Sequence, residues 1–353
     1  YALANGLSGP FIDRVGTKIG YAACMVWWSV AGILHIFARG PLSLGACRVL
    51  LGLGEAGNWP AAAKMVGEWF PSKERALASG IFNSGASIGA ILSPLLIVWM
   101  VATWGWKSAF VVMGVLGFVW TIGWWVAYRT PPQSASEPKA PRVPAGKLIK
   151  TRFVAVFTLS KFFMDPVWYF IIFWFPSFLD RVHGVKFTWN DMGVKAMIPF
   201  ILAAIGNIAG GAFTGVLIGQ GMAPQKARKV AVAVFALMML SLIPAIFSSN
   251  VSVAIALVSV ASFGYAGYTA NTLAFPPEVF PKTAVASVWG LASVGSGLGG
   301  MLFQYLSGIL VQRYGYTPVF IGYGIMPLIA LLLVIYGLGP LRRDPRFEAT
   351  AQN

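Results

Sequence analysis

Apolar runs of about 20 residues, the length that carries a helix across about 30 Å of hydrocarbon, recur along this whole sequence and leave little room for any other architecture. We read spans at 20–38, 42–66, 76–101, 106–128, 153–179, 190–218, 226–247, 251–275, 283–311 and 317–340, with a shorter run over 1–11. Only 10% of the 353 residues are charged, against about 25% in a soluble domain. A water-soluble body with so few charges would fail to cover its own surface. Many Trp and Phe residues sit near the ends of the runs, where an interfacial aromatic belt belongs. The fold class expected is an all-α membrane protein.

The net charge of +15 is a matter of topology rather than of nucleic-acid binding, because the cations lie between apolar runs and not on one soluble face. One set of alternate loops carries Arg14, Lys18, Lys73, Arg75, Arg129, Lys139, Arg142, Lys147, Lys150, Arg152, Lys226, Arg228, Lys229, Lys282, Arg342, Arg343 and Arg346. The opposite set carries Arg39, Lys107, Arg181, Lys186 and Arg313. The richer side is expected to be cytoplasmic, with the C-terminal tail inside. Residues 130–150 are basic and Pro-rich without periodicity, which reads as a linker. The expected organisation is an N-terminal bundle over 1–129, a cytoplasmic linker over 130–150, a C-terminal bundle over 151–341 and a cytoplasmic tail over 342–353. Five full spans precede the linker and six follow it. One further helix before Tyr1 would give two halves of six, so helix 1 and part of helix 2 are expected to be missing. Such symmetry is common in secondary transporters, whose solute site lies at midplane between the halves.

Enzymatic readings find little support. Cys24 and Cys47 read as small buried hydrophobes, and no spacing suits a disulfide framework or a metal. No cofactor is expected. Gly52-Leu53-Gly54-Glu55-Ala56-Gly57 and Gly295-Ser296-Gly297-Leu298-Gly299-Gly300 both fit the dinucleotide-binding pattern, but they lie inside spans rather than after a strand. Their glycines, like Gly85/Gly89 and Gly206/Gly210, read as sites of close helix packing.

The polar residues inside spans are the candidates for function. Glu55 falls mid-span, where an ionised carboxylate is costly and should face the bundle interior. Arg48 lies seven residues earlier, nearly two full turns, hence on the same face and about 10 Å away along the axis. A carboxylate balanced between burial and a neighbouring cation is suited to taking up and releasing a proton. On the span 153–179, Lys161, Asp165, Trp168 and Tyr169 share one helical face, and Pro166 should kink the helix. A cation, a carboxylate and two aromatics suit a hydroxylated acid. Tyr265, Tyr268, Thr269 and Thr272 form a second stripe, Trp289, Ser293 and Ser296 a third, and Asn83, Ser84 and Ser87 add polar groups on the span 76–101.

Motifs then carry a resemblance. Gly9-Pro10-Phe11-Ile12-Asp13-Arg14-Val15-Gly16-Thr17-Lys18 resembles the loop signature between helices 2 and 3 of the major facilitator superfamily. The stretch from Arg48 to Trp59-Pro60 through Asn58, and Glu68-Trp69-Phe70-Pro71-Ser72-Lys73-Glu74-Arg75, resemble the anion:cation symporters within it. Phe82 to Ala90 and Lys161 to Tyr169 are similar to hexuronate transporters. The resemblance covers nearly the whole chain. It implies two six-helix bundles and proton-coupled uptake of a sugar acid by alternating access, in a multi-pass protein of a bacterial inner membrane. Its partners would be a small organic anion, protons and the lipid bilayer, not nucleic acid, and a monomer is expected. Gly9, Asp13, Arg14, Gly16, Lys18, Glu74 and Arg75 would form a cytoplasmic latch. Because Gly210 to Gly215 keeps the glycines but lacks the Asp, the latch is expected to be carried by the first half. Related symporters use the Glu at position 55 for proton coupling. Asn58 falls within a matching motif, Asn271 matches a family Asn, and both join the substrate candidates. Relatives of the hexuronate type carry His-Gln where this chain has Tyr265-Ala266, which leaves the particular acid open. The alternatives are an organic phosphate antiporter, a multidrug exporter and a membrane solute sensor.

Overall fold

The computed structural model describes residues 1–131, 143–186, 194–339, 341 and 347. Helices α1 (Ala2–Val15) and α2 (Thr17–Leu34) meet at Gly16, whose φ of 88° lies where a side chain is strained. There follow α3 (Pro41–Glu55), α4 (Asn58–Trp69), α5 (Ser72–Trp104) and α6 (Trp106–Ala127), which make up the first lobe. After the short α7 (Ala145–Ile149) come α8 (Arg152–Phe173), α9 (Phe175–His183), α10 (Val194–Gly219), α11 (Pro224–Met238) and α12 (Leu242–Ala245). The second lobe closes with α13 (Val251–Thr272), α14 (Phe275–Val279), α15 (Val285–Tyr314) and α16 (Thr317–Leu332), the last running into a wide turn at Leu333–Gly337. Among the described residues, nine helical stretches are long and apolar enough to cross a membrane. Most of the linker expected at 130–150 and, apart from Phe347, the tail at 342–353 lie outside the described residues.

Several expected spans are interrupted, and proline gives the reason. The apolar run 42–66 divides into α3 and α4 at Ala56 and Gly57. Pro60 has no N–H to give to the Ala56 carbonyl four residues earlier. Ser8 Oγ on α1 donates to that carbonyl instead, at 2.9 Å. The run 153–179 breaks at Trp174, two residues before Pro176, and the run 251–275 ends at Thr272 ahead of Pro276 and Pro277.

Each lobe turns an apolar face outward. On α6, Val111, Met113, Leu116, Val119, Ile122 and Val126 are exposed, as residues facing lipid tails would be. Such helices gain nothing hydrophobic by leaving lipid for each other, so packing and interhelical hydrogen bonds hold them. The lobes meet along α1 against α15 and α5 against α10. A side chain at Gly9 would strike the Ala286 carbonyl, and one at Gly211 the Ala76 carbonyl. Of the glycine pairs expected to pack, Gly206/Gly210 abut Phe263 and Gly267, and Gly295/Gly299 abut Thr158 and Phe162, whereas Gly85 and Gly89 face open space. The bulk of the aromatic core lies in the second lobe, around Phe157, Phe170, Phe178, Phe275 and Phe320.

Candidate functional site

Between the lobes lies a cavity of about 590 Å³. The break at Ala56-Gly57 leaves Glu55 as the last residue of α3, half-buried, on the cavity wall. Asn58 opens α4 beside it and accepts a hydrogen bond of 2.5 Å from the Tyr21 hydroxyl. Trp59, Asn83 and Ser87 complete this side of the wall, with Trp59 edge-on to Phe82.

The opposite wall is built on α8. Lys161 and Asp165, one turn apart, form an ion pair at 2.7 Å with side chains 10% and 12% exposed. The Lys161 ammonium also sits 4.5 Å above the Trp289 ring of α15. Trp168 stacks on Tyr265 of α13, 5.2 Å between centroids and 7° from parallel. Tyr169, Thr269, Ser293 and Ser296 also line the space, and Asn207 of α10 reaches Ser87 across the lobes at 3.4 Å. Asn83 and the Trp289 indole are buried polar groups lining the cavity without a hydrogen-bond partner among the described residues. Such groups are costly unless something polar meets them. The arrangement offers one cation, two carboxylates, uncommitted amide groups and flat aromatic faces. Those are the needs of a small hydroxylated solute bearing charge.

Thus Glu55, Asn58, Asn83, Lys161, Asp165, Trp168, Tyr169, Tyr265 and Ser293 converge on one cavity. Four candidates do not. Arg48 is exposed on α3 and outside the lining, because two turns carry it along the helix away from the break where Glu55 sits. Ser84 turns back to the Ile81 carbonyl at 2.7 Å. Tyr268 bonds Ser160 inside the second lobe at 3.0 Å. Asn271 accepts from Thr214 at 2.5 Å and donates to the Gly210 and Gly267 carbonyls, clamping α13 to α10. The stripe argument placed Tyr268 by angle alone, which does not separate a cavity face from a helix seam; Ser84 entered as a polar residue of its span and Asn271 on the family resemblance. Conversely, Trp28, Trp59 and Asn207 join the lining unforeseen. Asn207, a lone amide in an apolar span, was the visible signal.

A second cluster closes the end of the molecule where α6 stops and α8 begins. Asp13 takes Lys64 Nζ at 2.8 Å and, from across the lobes, the Ser287 amide at 2.7 Å and hydroxyl at 2.6 Å. Arg75 reaches Glu278 at 3.2 Å and the Pro277 carbonyl at 3.1 Å. Glu278 also accepts from Ser72 at 2.7 Å and Arg228 at 2.8 Å. Arg228 further donates to the Ser72 carbonyl at 2.7 Å. The expectation that the first half carries this latch is therefore corrected: Ser287, Glu278 and Arg228 belong to the second lobe. The missing acid is supplied from α14 instead of from the glycine segment at 210–215. A repeat in the sequence marks it, for Glu68-Trp69-Phe70-Pro71 returns as Glu278-Val279-Phe280-Pro281. Of the other latch candidates, Lys18 lies over the Trp125 ring, Arg14 is exposed near the α1–α2 turn at Gly16, and Glu74 is exposed in the first turn of α5.

Two helical lobes around a cavity that sets charged and amide groups among aromatic rings, with an apolar exterior, define an integral multi-pass membrane transport protein. Comparison with known proteins gives the family. The chain belongs to the Major Facilitator Superfamily, whose family pattern matches residues 1–226 and 225–352, and this is a family of transporters rather than enzymes. It is 29% identical over 355 residues to the hexuronate transporter of Escherichia coli K12, covering 95% of this chain and 81% of that protein. It is 28% identical over 378 residues to a protein of the same strain named "Probable galactarate/D-glucarate transporter GarP", covering 97% of this chain and 84% of the relative. In fold it is similar to the human organic anion transporter MFSD10, with a TM-score of 0.74 at 14% identity, over 94% of this chain and 80% of that one.

Proposed function

We propose that this protein takes up a sugar acid with protons, by alternating access of the cavity to the two sides of a bacterial inner membrane. The observation that carries the reading is the cavity itself, with Lys161 for a carboxylate, Asp165 and Asn83 for hydroxyls, and the Trp168–Tyr265 stack for the C–H face of a sugar. Relatives named for hexuronate and aldarate transport support the substrate class. Glu55 is the proton carrier: a membrane-embedded carboxylate on a wet wall, with Arg48 the other charged residue of its helix. The Arg and Lys excess in one set of loops supports a cytoplasmic position for that end, the linker and the tail.

In proteoliposomes with an imposed pH gradient, radiolabelled glucuronate should accumulate above equilibrium. Glu55→Gln is expected to abolish that accumulation while leaving solute counterflow. Uphill uptake by that variant would refute the role. An organic phosphate antiporter, which would need two or more strong cations at midplane, is disfavoured because Lys161 is the one Lys or Arg among the described lining residues. The Lys161–Asp165 pair and the Glu55 carboxylate in the walls likewise disfavour a multidrug exporter. Binding without uptake would instead identify a solute sensor.

A further inference from the structure

The Lys161–Asp165 pair occupies the place where a sugar acid needs its anchor, so the anchor is already taken. We propose that Asp165 is an internal substitute for the solute's carboxylate: it holds Lys161 until a solute arrives, then yields the ammonium and accepts hydrogen bonds from that solute's hydroxyls. The substrate this selects is a polyhydroxylated acid with one carboxylate. The proposal rests on the reading of the cavity as a sugar-acid site.

The geometry supports an exchange. Both side chains line the cavity, so a solute reaches the 2.7 Å contact without unpacking a helix. Lys161 keeps a second support when Asp165 leaves, because the Trp289 ring lies 4.5 Å beneath its ammonium on a different helix. The ammonium is thereby placed before the solute comes, and one carboxylate replaces another on it. Asp165, an acceptor only when ionised, then needs donors. The hydroxyls of a sugar supply them, and the sugar's C–H face meets the stacked Trp168 and Tyr265 beside it.

The same geometry excludes neighbouring chemistries. A neutral sugar brings nothing to displace Asp165 from Lys161. A simple carboxylate displaces it and strands it without donors. A diacid carries a second carboxylate into a cavity whose remaining charges are Glu55 and the released Asp165. Sites that bond a substrate hydroxyl discriminate strongly against analogues lacking it, because buried groups are left unpaired.

The test is competition and uptake in proteoliposomes of the full-length protein, with glucuronate, galactarate, hexanoate and glucose. Wild-type protein should favour glucuronate over each of the other three by at least about tenfold in inhibition constant. Asp165→Asn should lower the KM for glucuronate by about three- to tenfold and also lower kcat, because nothing reclaims Lys161 when the solute must leave. Lys161→Gln should raise the KM instead. Equal inhibition by galactarate or hexanoate in the wild type overturns the proposal whether or not the variants fold. An Asp165→Asn variant that loses glucuronate as Lys161→Gln does would identify the pair as a helix staple and also overturn it. Absence of any wild-type glucuronate or galactarate uptake would sink the sugar-acid reading and this proposal with it. Uptake with the wrong order of ligands or variants sinks this proposal alone.

Discussion

Asn271 illustrates what a single side chain does here and how easily it is misread. It was legible as a polar residue inside a span, and the family resemblance made it a substrate candidate. Its amide is instead consumed by Thr214 and by the Gly210 and Gly267 carbonyls. Asn271→Ala should therefore lower stability by about 1–3 kcal/mol, the cost of buried groups left unpaired. The thermal midpoint in detergent should drop while the KM for solute stays near the wild-type value, and a raised KM at an unchanged midpoint would contradict this. Glu55 was legible for the opposite reason: a carboxylate in a span must be excused by a cavity or a partner, and a cavity is what it meets. Sequence periodicity assigns a face but not the identity of what packs there. That is why Tyr268 was grouped with Tyr265.

At the scale of the helix, hydropathy located the spans because about 20 apolar residues have few other uses. It missed the division of 42–66 because the apolar signal runs straight through it. The information lay in Pro60 and in a partner from another helix, Ser8, which satisfies the freed Ala56 carbonyl. Pro60→Ala is expected to let α3 and α4 join, turning Glu55 off the wall. Proton-driven accumulation should fall well below the wild-type level while protein yield holds, and full accumulation would show that the break is incidental. Close approach at the lobe seam gives another expectation. Gly211→Leu places a side chain against the Ala76 carbonyl, and spin labels on either side of the sealed end should move apart by several ångströms, on the order of one side-chain diameter.

For the molecule as a whole, the helical membrane fold was legible from span count, whereas the contacts between lobes were only half legible. Asp13 and Arg75 announced themselves in motifs. Glu278 was marked only by the returning Glu68 motif, and nothing local pointed to its partners, which lie 50 to about 200 positions away in sequence. Glu278→Gln should loosen the sealed end. A cysteine introduced at Ser287, after Cys24 and Cys47 are replaced, should then react faster with a membrane-impermeant maleimide from the linker side. An unchanged rate would place the lock elsewhere.

Asp13 and Glu278 each grip the far lobe while keeping a cation from their own, Lys64 for one and Arg228 for the other. Arg75 likewise retains the Phe70 and Gly67 carbonyls of its own lobe at 3.0 and 3.4 Å. Were the lobes to part, as the proposed alternating access requires, neither acid would be left naked in a poorly solvated seam, the circumstance that makes breaking a buried pair so costly. Separation gives up only the contacts that cross between lobes. Its cost would then be a few hydrogen bonds instead of orphaned charge, a clasp of the size that binding a solute could undo.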